Sequence, residues 1–168
     1  MKSVLKLITA AFLTLAPLSA IAQSNVAHIN VQQLISEMPE VIAAQNELAK
    51  LEKDYTTQID NAFKEFQTKA QSYSADAANQ TDVTNQARQK ELESMQTNLQ
   101  EFRDSAAQEL QKKQMDLMTP LLEKARNAIT KVGQEQGFDY VIDSSPNGGI
   151  ILADGKDLIE DVKRELGF

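Results

Sequence analysis

The side chains of this sequence that could perform catalysis or bind a metal are mostly carboxylates, accompanied by a single histidine and no thiol. His28 is the only histidine, and there is no cysteine. Without a second histidine or a thiol, the chain has no histidine pair for metal binding or acid–base catalysis and no cysteine ligand. We interpret His28 as a structural residue of a β-strand. The sequence therefore argues against an enzyme and predicts no catalytic residue, cofactor or metal site.

Four acidic residues near the C-terminus are the remaining candidates for a cation site: Asp154, Asp157, Glu160 and Asp161. They lack the D-x-D-x-D-G spacing of a calcium-binding loop. Acidic side chains are stabilising near the positive N-terminal end of a helix. We therefore expect them to mark the start of a last helix.

The N-terminus has the pattern of an export signal. Two lysines in the first six residues precede an apolar run over 4–18, and a small-x-small motif ends at Ala22. The run is too short to be a convincing membrane span. We expect residues 1–22 to be removed, which makes Gln23 the first residue of the mature protein.

The mature segment is acidic, with 15 basic and 24 acidic side chains. This balance argues against nucleic acid and anionic membranes as partners. The sequence predicts no membrane span later in the chain.

Two β-patterned pieces flank about a hundred residues of helical pattern. Val26–Asn30 alternates with period two, and 138–153 reads as a hairpin whose second strand is Ile150–Ala153. If the end pieces pair, the residues between them must leave the sheet and return as a long antiparallel hairpin. The expected fold is α+β, with a small β-rich body and a coiled-coil-like helical arm.

We place the body at 23–38 and 137–168, the arm at 39–136, and its tip near 71–87. A body this small rarely stays folded without disulfides or metal, so we expect oligomerisation through it. The candidate interface residues are Val26, Ile29, Tyr140, Ile142 and Ile151.

Apolar residues recur along both arm helices about every 3.6 residues. Most should form the seam between the helices, but a two-helix hairpin cannot cover an apolar stripe completely. Residues that remain accessible could contact an unfolded chain weakly and at many points. The candidates are Ile42, Leu51, Ile59, Phe63, Phe66, Met95, Phe102 and Met115. Pro120 interrupts the second helix and is a candidate hinge.

The sequence resembles the Skp/OmpH family of periplasmic chaperones over nearly its whole mature length. The resemblance is carried by Pro120, by the G-F-x-x-V-I-D stretch at 137–143, by the A-D-G-x-D-L stretch at 153–158, and by VAHINVQQLISEMPE at 26–40.

This resemblance implies a homotrimer with three arms around a cavity, in which unfolded outer-membrane β-barrel proteins are held without ATP. Well-known members are basic and have a proposed lipopolysaccharide site. Here 39–136 carries 12 basic and 16 acidic side chains, which puts charge-driven capture of lipopolysaccharide in doubt. A structural spacer or adaptor protein of the cell envelope is the alternative function.

Overall fold

The computed structural model describes residues 24–146 and 148–168. The predicted export signal, including Ala22 and Gln23, lies outside these ranges. The described chain forms three strands and four α-helices, with a short 3₁₀ helix between the second and third. In chain order they are β1 Val26–Ile29, α1 Val31–Glu37, α2 Pro39–Asp76, the 3₁₀ helix Ala77–Asn79, α3 Asp82–Glu135, β2 Tyr140–Asp143, β3 Lys156–Asp157 and α4 Ile159–Leu166.

The three strands form one parallel sheet in the order β2-β1-β3. Val26 is opposite Tyr140, and His28 is opposite both Ile142 and Asp157. The pairing of the two ends of the chain therefore occurs, and the α+β fold with long helices is confirmed.

The predicted hairpin over 138–153 is wrong. Ile150–Ala153 is not a strand, and the third strand is Lys156–Asp157 instead. Because β2 and β3 both run parallel to β1, the chain between them must return along the length of the sheet before β3 begins. Ile150–Ala153 lies in that return connection.

The inner face of the sheet follows the predicted alternation. Ala27 and Ile29 are buried, whereas Val26 is exposed and His28 is half-buried. The buried pair packs with residues of α1, α2, α3 and α4 in one apolar core. Its buried members are Ala27, Ile29, Leu34, Met38, Val41, Ala125, Ala128, Val132, Leu158 and Val162. This core fixes the root of the arm to the sheet.

The arm helices have clear sequence boundaries. Pro39 opens α2, where its missing N–H is not needed. The hydroxyl of Thr81 accepts a hydrogen bond from the Thr84 backbone N–H and caps α3. At the far end of α3, Gly137 has a φ of 74°, a conformation that favours glycine and stops the helix.

The turn between α2 and α3 falls at 77–81, inside the segment predicted for the tip. Pro120 lies within α3, which continues on both sides of it. Proline has no N–H to donate to the preceding turn, so one hydrogen bond of the helix ladder is missing here.

Candidate functional site

The seam between α2 and α3 holds most of the apolar residues of the arm. Leu99 and Ala106 are buried in it. Tyr55 and Phe102 meet edge-on across it, with ring centroids 6.1 Å apart. Five of the contact candidates are half-buried there: Leu51, Ile59, Phe66, Met95 and Phe102.

Three other contact candidates are at the surface of the arm. Ile42 is 46% exposed, Phe63 39% and Met115 55%. Two further exposed residues, Val83 and Leu122, were not predicted. Leu122 directly follows the seam residue Leu121, and a step of about 100° around the helix turns it outward. Helical phase, counted residue by residue, could have identified it.

Polar side chains join α2 to α3 along one edge of the seam. Lys124 Nζ lies 2.5 Å from Glu40 Oε1, and Lys113 Nζ lies 2.8 Å from Glu47 Oε1. The hydroxyl of Tyr55 donates a hydrogen bond to Glu109. We call this side of the arm the ion-paired edge. It continues to the tip through Lys69, Tyr73, Asp76, Arg88 and Glu91.

Glu91 is the centre of the distal part of this edge. It accepts hydrogen bonds from Lys69 Nζ at 2.5 Å and from the Tyr73 hydroxyl at 2.6 Å. These bonds, the lysine's first, lower the pKa of Glu91 below its ordinary value. Near the root, the hydrogen bond from Lys124 lowers the pKa of Glu40 in the same way. Both carboxylates are therefore held in their charged form.

The tip is held by polar contacts rather than by apolar packing. Asp76 accepts hydrogen bonds from the side chains of Asn79, Gln80 and Arg88. The Arg88 guanidinium also lies over the Tyr73 ring, 4.7 Å from its centroid. These contacts close the hairpin at its far end.

The body presents apolar side chains on the outer face of the sheet. Tyr140 is exposed, and Val26 and Ile142 are partly exposed beside it. Ile151 is fully exposed in the return connection, so the prediction that it lies in a strand was wrong. Ile29 is buried in the core of the protomer and cannot contribute to a surface.

His28 also lies on this outer face, where both ring nitrogens have partners. Nε2 donates to the Gly155 carbonyl at 3.2 Å, which leaves Nδ1 to bond the Ser144 hydroxyl at 3.2 Å. The residue ties β1 to the segments after β2 and before β3. This geometry is that of a structural histidine.

An apolar groove of about 650 Å³ lies at the root of the arm, between α1, α3 and β2. Its walls include Ile35, Leu122, Ile129, Phe138 and Val141. Leu122 belongs both to this groove and to the exposed surface of the arm, so the two are continuous.

Comparison with known proteins agrees with this architecture. The family model described as "Outer membrane protein (OmpH-like)" matches residues 25–166. The chain belongs to the OmpH-like family. The resemblance to the Skp/OmpH family is thereby confirmed, and the match includes both the body and the arm.

One curated relative of this OmpH-like chain is the chaperone protein Skp of Yersinia enterocolitica. It is 26% identical over 160 residues, which cover 92% of this chain and 93% of the relative. A solved structure of an OmpH-like outer-membrane chaperone from Caulobacter crescentus is similar with a TM-score of 0.76. That likeness covers 86% of this chain and 85% of the other at 13% identity, so it supports the fold alone.

Two further observations concern the described parts of this OmpH-like chain. Within 24–146 and 148–168, no cluster of three or more His, Cys, Asp or Glu side chains could hold a metal ion. None of the helices formed by these residues has the length and hydrophobicity needed to span a bilayer.

Proposed function

We propose that this protein is an ATP-independent periplasmic holdase chaperone. Its substrates would be unfolded outer-membrane β-barrel proteins, which it keeps from aggregating on their way to the outer membrane. Family membership and the curated chaperone relative support this role. The observation that carries the proposal is the set of exposed apolar side chains on the long arm, namely Ile42, Phe63, Met115 and Leu122.

These exposed side chains also favour a holdase over the alternative function, a structural spacer or adaptor. A spacer or adaptor would bury its apolar residues in the seam and present a polar surface. The arm instead exposes large apolar groups along its length. Exposed apolar groups at several levels suit weak contact with many points of an unfolded chain.

The assembly we propose is a homotrimer formed through the body. The outer face of the sheet exposes Val26, Tyr140 and Ile142, and the return connection exposes Ile151 and Leu152. Apolar residues this exposed on a small body favour burial against other copies. In this assembly 23–38 and 137–168 associate, while 39–136 projects as the arm.

The proposed compartment is the periplasm, which the export signal at 1–22 would allow the chain to reach. Lipopolysaccharide is not proposed as a ligand. Acidic side chains outnumber basic ones in 39–136 by 16 to 12, and some of the basic groups are paired with carboxylates, as in the Lys69–Glu91 and Lys124–Glu40 pairs.

The direct test uses the mature trimer and a urea-denatured outer-membrane β-barrel protein. On dilution of the urea, light scattering should rise for the client alone and stay low with a stoichiometric amount of the chaperone and no ATP. A folded soluble protein serves as the control for binding, since it should not be retained. Unchanged aggregation in the presence of the protein would refute the proposed function.

A further inference from the structure

His28 is a titratable side chain in the middle of an apolar surface, the outer face of the sheet. Val26 on the same strand and Tyr140 and Ile142 on β2 lie beside it on this face, and all three are exposed. His28 itself is half-buried and is the only histidine of the chain. A group that gains and loses a charge therefore lies within the surface that we expect to hold three copies together.

We propose that His28 makes the assembly of this protein dependent on pH, because three copies pack on their outer faces only when each His28 is neutral. The proposal rests on the homotrimer proposed above. Cyclic symmetry presents the same surface of every copy to the shared axis, so outer faces that pack together bring the three imidazole rings toward one another. Burial in an apolar interface disfavours the charged form of a histidine, and neighbouring like charges disfavour it further.

Within one protomer, protonation of His28 leaves its hydrogen bonds possible. The neutral ring donates from Nε2 to the Gly155 carbonyl and accepts at Nδ1 from the Ser144 hydroxyl. When Nδ1 gains a proton it becomes a donor, and the hydroxyl oxygen of Ser144 can accept instead. The ring keeps both partners in either state. The added charge therefore acts on the contact between copies rather than on the fold of the protomer.

The ionisable groups that flank His28 in the described part of the sheet are Tyr140 on β2, Asp157 on β3, and Asp154 in the connection before β3. The phenol of Tyr140 carries no charge near neutral pH. Both carboxylates are exposed, and Asp157 Oδ1 accepts a hydrogen bond from the Ile159 backbone N–H at 2.9 Å. Attraction between exposed charges is weak because water and salt screen it. Asp157 therefore offsets only part of the effect of burying a charged His28.

The direction of the pH dependence follows from proton binding. Separate protomers bind a proton at His28 as the pH falls, whereas the trimer excludes it, so acid favours the separate protomers. An ordinary histidine is half protonated near pH 6.5, so at pH 5.5 about one copy in eleven is neutral. If all three copies must be neutral, the dissociation constant of the trimer rises by up to about a thousandfold. The protein concentration at the midpoint of dissociation then rises by up to about thirtyfold.

The test is a dilution series of the mature protein, followed by sedimentation velocity at pH 7.5 and at pH 5.5 with the same ionic strength. Both values lie above the range in which the carboxylates of the ion-paired edge lose their charge. We expect the midpoint concentration of the wild type to rise about ten- to thirtyfold at pH 5.5. The α-amino group of the mature N-terminus also titrates in this range, so variants of His28 are the necessary control.

His28→Gln keeps a polar side chain that does not titrate, and its midpoint concentration should change by less than about twofold between the two pH values. His28→Val is a second neutral variant with the same expectation. Asp157→Asn retains an oxygen that can accept from the Ile159 amide but removes the acid opposite His28. It should therefore make the trimer more sensitive to acid than the wild type.

The possible outcomes separate this proposal from the homotrimer itself. A wild-type protein that is monomeric at pH 7.5 refutes the proposed assembly. A wild-type trimer with the same midpoint concentration at both pH values overturns the role of His28 and leaves the homotrimer standing. An acid shift that persists in both neutral variants also overturns it, since another group is then responsible.

A second measurement on the wild type needs no substitution. Dilution calorimetry at pH 6.5, in two buffers that differ in ionisation enthalpy, counts the protons bound as the trimer dissociates. We expect about one to two protons per trimer, because up to three histidines become free to bind one. Dissociation without proton uptake would overturn the proposal.

Discussion

Leu34 and Leu122 lie in opposite environments. Leu34 is fully buried in the core that joins the arm to the sheet, whereas Leu122 is exposed at the surface of the arm. Truncation of a buried leucine removes apolar contacts and leaves a cavity. The same truncation at the surface changes little in the folded state.

Leu34→Ala should lower the free energy of unfolding by about 2–5 kcal/mol. Leu122→Ala is the matched control and should change it by less than about 0.5 kcal/mol. Urea unfolding followed by circular dichroism measures both, with similar slopes expected for the two variants. If Leu122→Ala lowers the free energy of unfolding as much as Leu34→Ala does, then Leu122 is buried in the proposed assembly.

At the residue scale, the sequence was most informative where a local pattern determines the environment. The alternation in Val26–Asn30 correctly separated the buried Ala27 from the exposed Val26, because a strand alternates its faces whatever its partners. Ile151 was assigned wrongly for the opposite reason. Four apolar residues in a row resemble a buried strand, and only long-range pairing could show that β3 begins later.

At the scale of the element, the ion-paired edge gives the arm a dependence on pH. The pKa values of Glu40 and Glu91 are lowered below the ordinary value of 4.5 by hydrogen bonds from Lys124 and from Lys69. A carboxylate whose folded pKa is depressed contributes stability above its unfolded pKa. That contribution is lost as the pH falls below about 4.5 and through the folded value.

We therefore expect the arm to loosen in acid. The protection factors of the amides in α2 and α3, which compare their exchange rates with the intrinsic rates at the same pH, should fall between pH 5 and pH 3. Glu91→Gln removes one of the titrating pairs and should make the distal arm less sensitive to acid. Glu101→Gln, at an exposed position of the same helix, is the control and should behave like the wild type. If Glu91→Gln also behaves like the wild type, the Lys69–Glu91 pair contributes nothing measurable.

Pro120 interrupts the hydrogen-bond ladder of α3 near the root of the arm. A proline inside a helix removes one hydrogen bond and costs about 3 kcal/mol or more. Pro120→Ala should therefore raise the thermal stability of the arm. A small bend near the root moves the tip furthest, so the substitution should also narrow the range of arm conformations in small-angle scattering and the range of client sizes accepted.

The adjacent substitution Thr119→Ala controls for the added alanine. It should leave the thermal stability, the range of arm conformations and the range of client sizes unchanged. Trimer formation should be the same in all three proteins. If Pro120→Ala alters neither scattering nor client size, then Pro120 is a packing feature and the arm bends elsewhere.

The arm helices could be predicted because helix formation depends on residues that are close together in the sequence. A 3.6-residue period persists over both arm helices, and Thr81 is of a residue type favoured at the start of a helix. β3 could not be found in this way, since Lys156 and Asp157 are two polar residues without a strand pattern. The ion-paired edge also escaped prediction, because it depends on the register of α2 against α3.

At the scale of the whole molecule, we expect the outer face of the sheet to hold the proposed trimer together. Ile142 is partly exposed and Ile151 fully exposed, so an added charge at either position leaves the protomer core intact. Ile142→Asp and Ile151→Asp should therefore dissociate the trimer into folded protomers. Sedimentation at micromolar concentration measures this change.

Val83→Asp is the matched control, because Val83 is an exposed apolar residue at the tip, far along the chain from the sheet. It should sediment as the wild type does. A wild-type protein that sediments as a stable, folded monomer at this concentration would contradict the proposed assembly. So would a trimer that tolerates both charges in the body.

Client binding by the whole molecule should depend on apolar contact more than on charge. The arm segment 39–136 carries 12 basic and 16 acidic side chains, and many of them are paired along one edge. Such an arm has little net attraction for acidic clients, whereas apolar burial yields about 25 cal/mol per Å² whatever the client's charge.

Charge–charge attraction between exposed groups is screened by salt, with a Debye length of about 30 Å at 0.01 M and about 10 Å at 0.1 M. Raising the salt over this range should therefore change the Kd for an unfolded β-barrel client by less than about threefold. Two clients of opposite net charge, measured by fluorescence anisotropy with the same trimer, provide the internal control. A steep loss of affinity for one client and a gain for the other would show that electrostatic attraction, and not the apolar surface of the arm, selects what the protein holds.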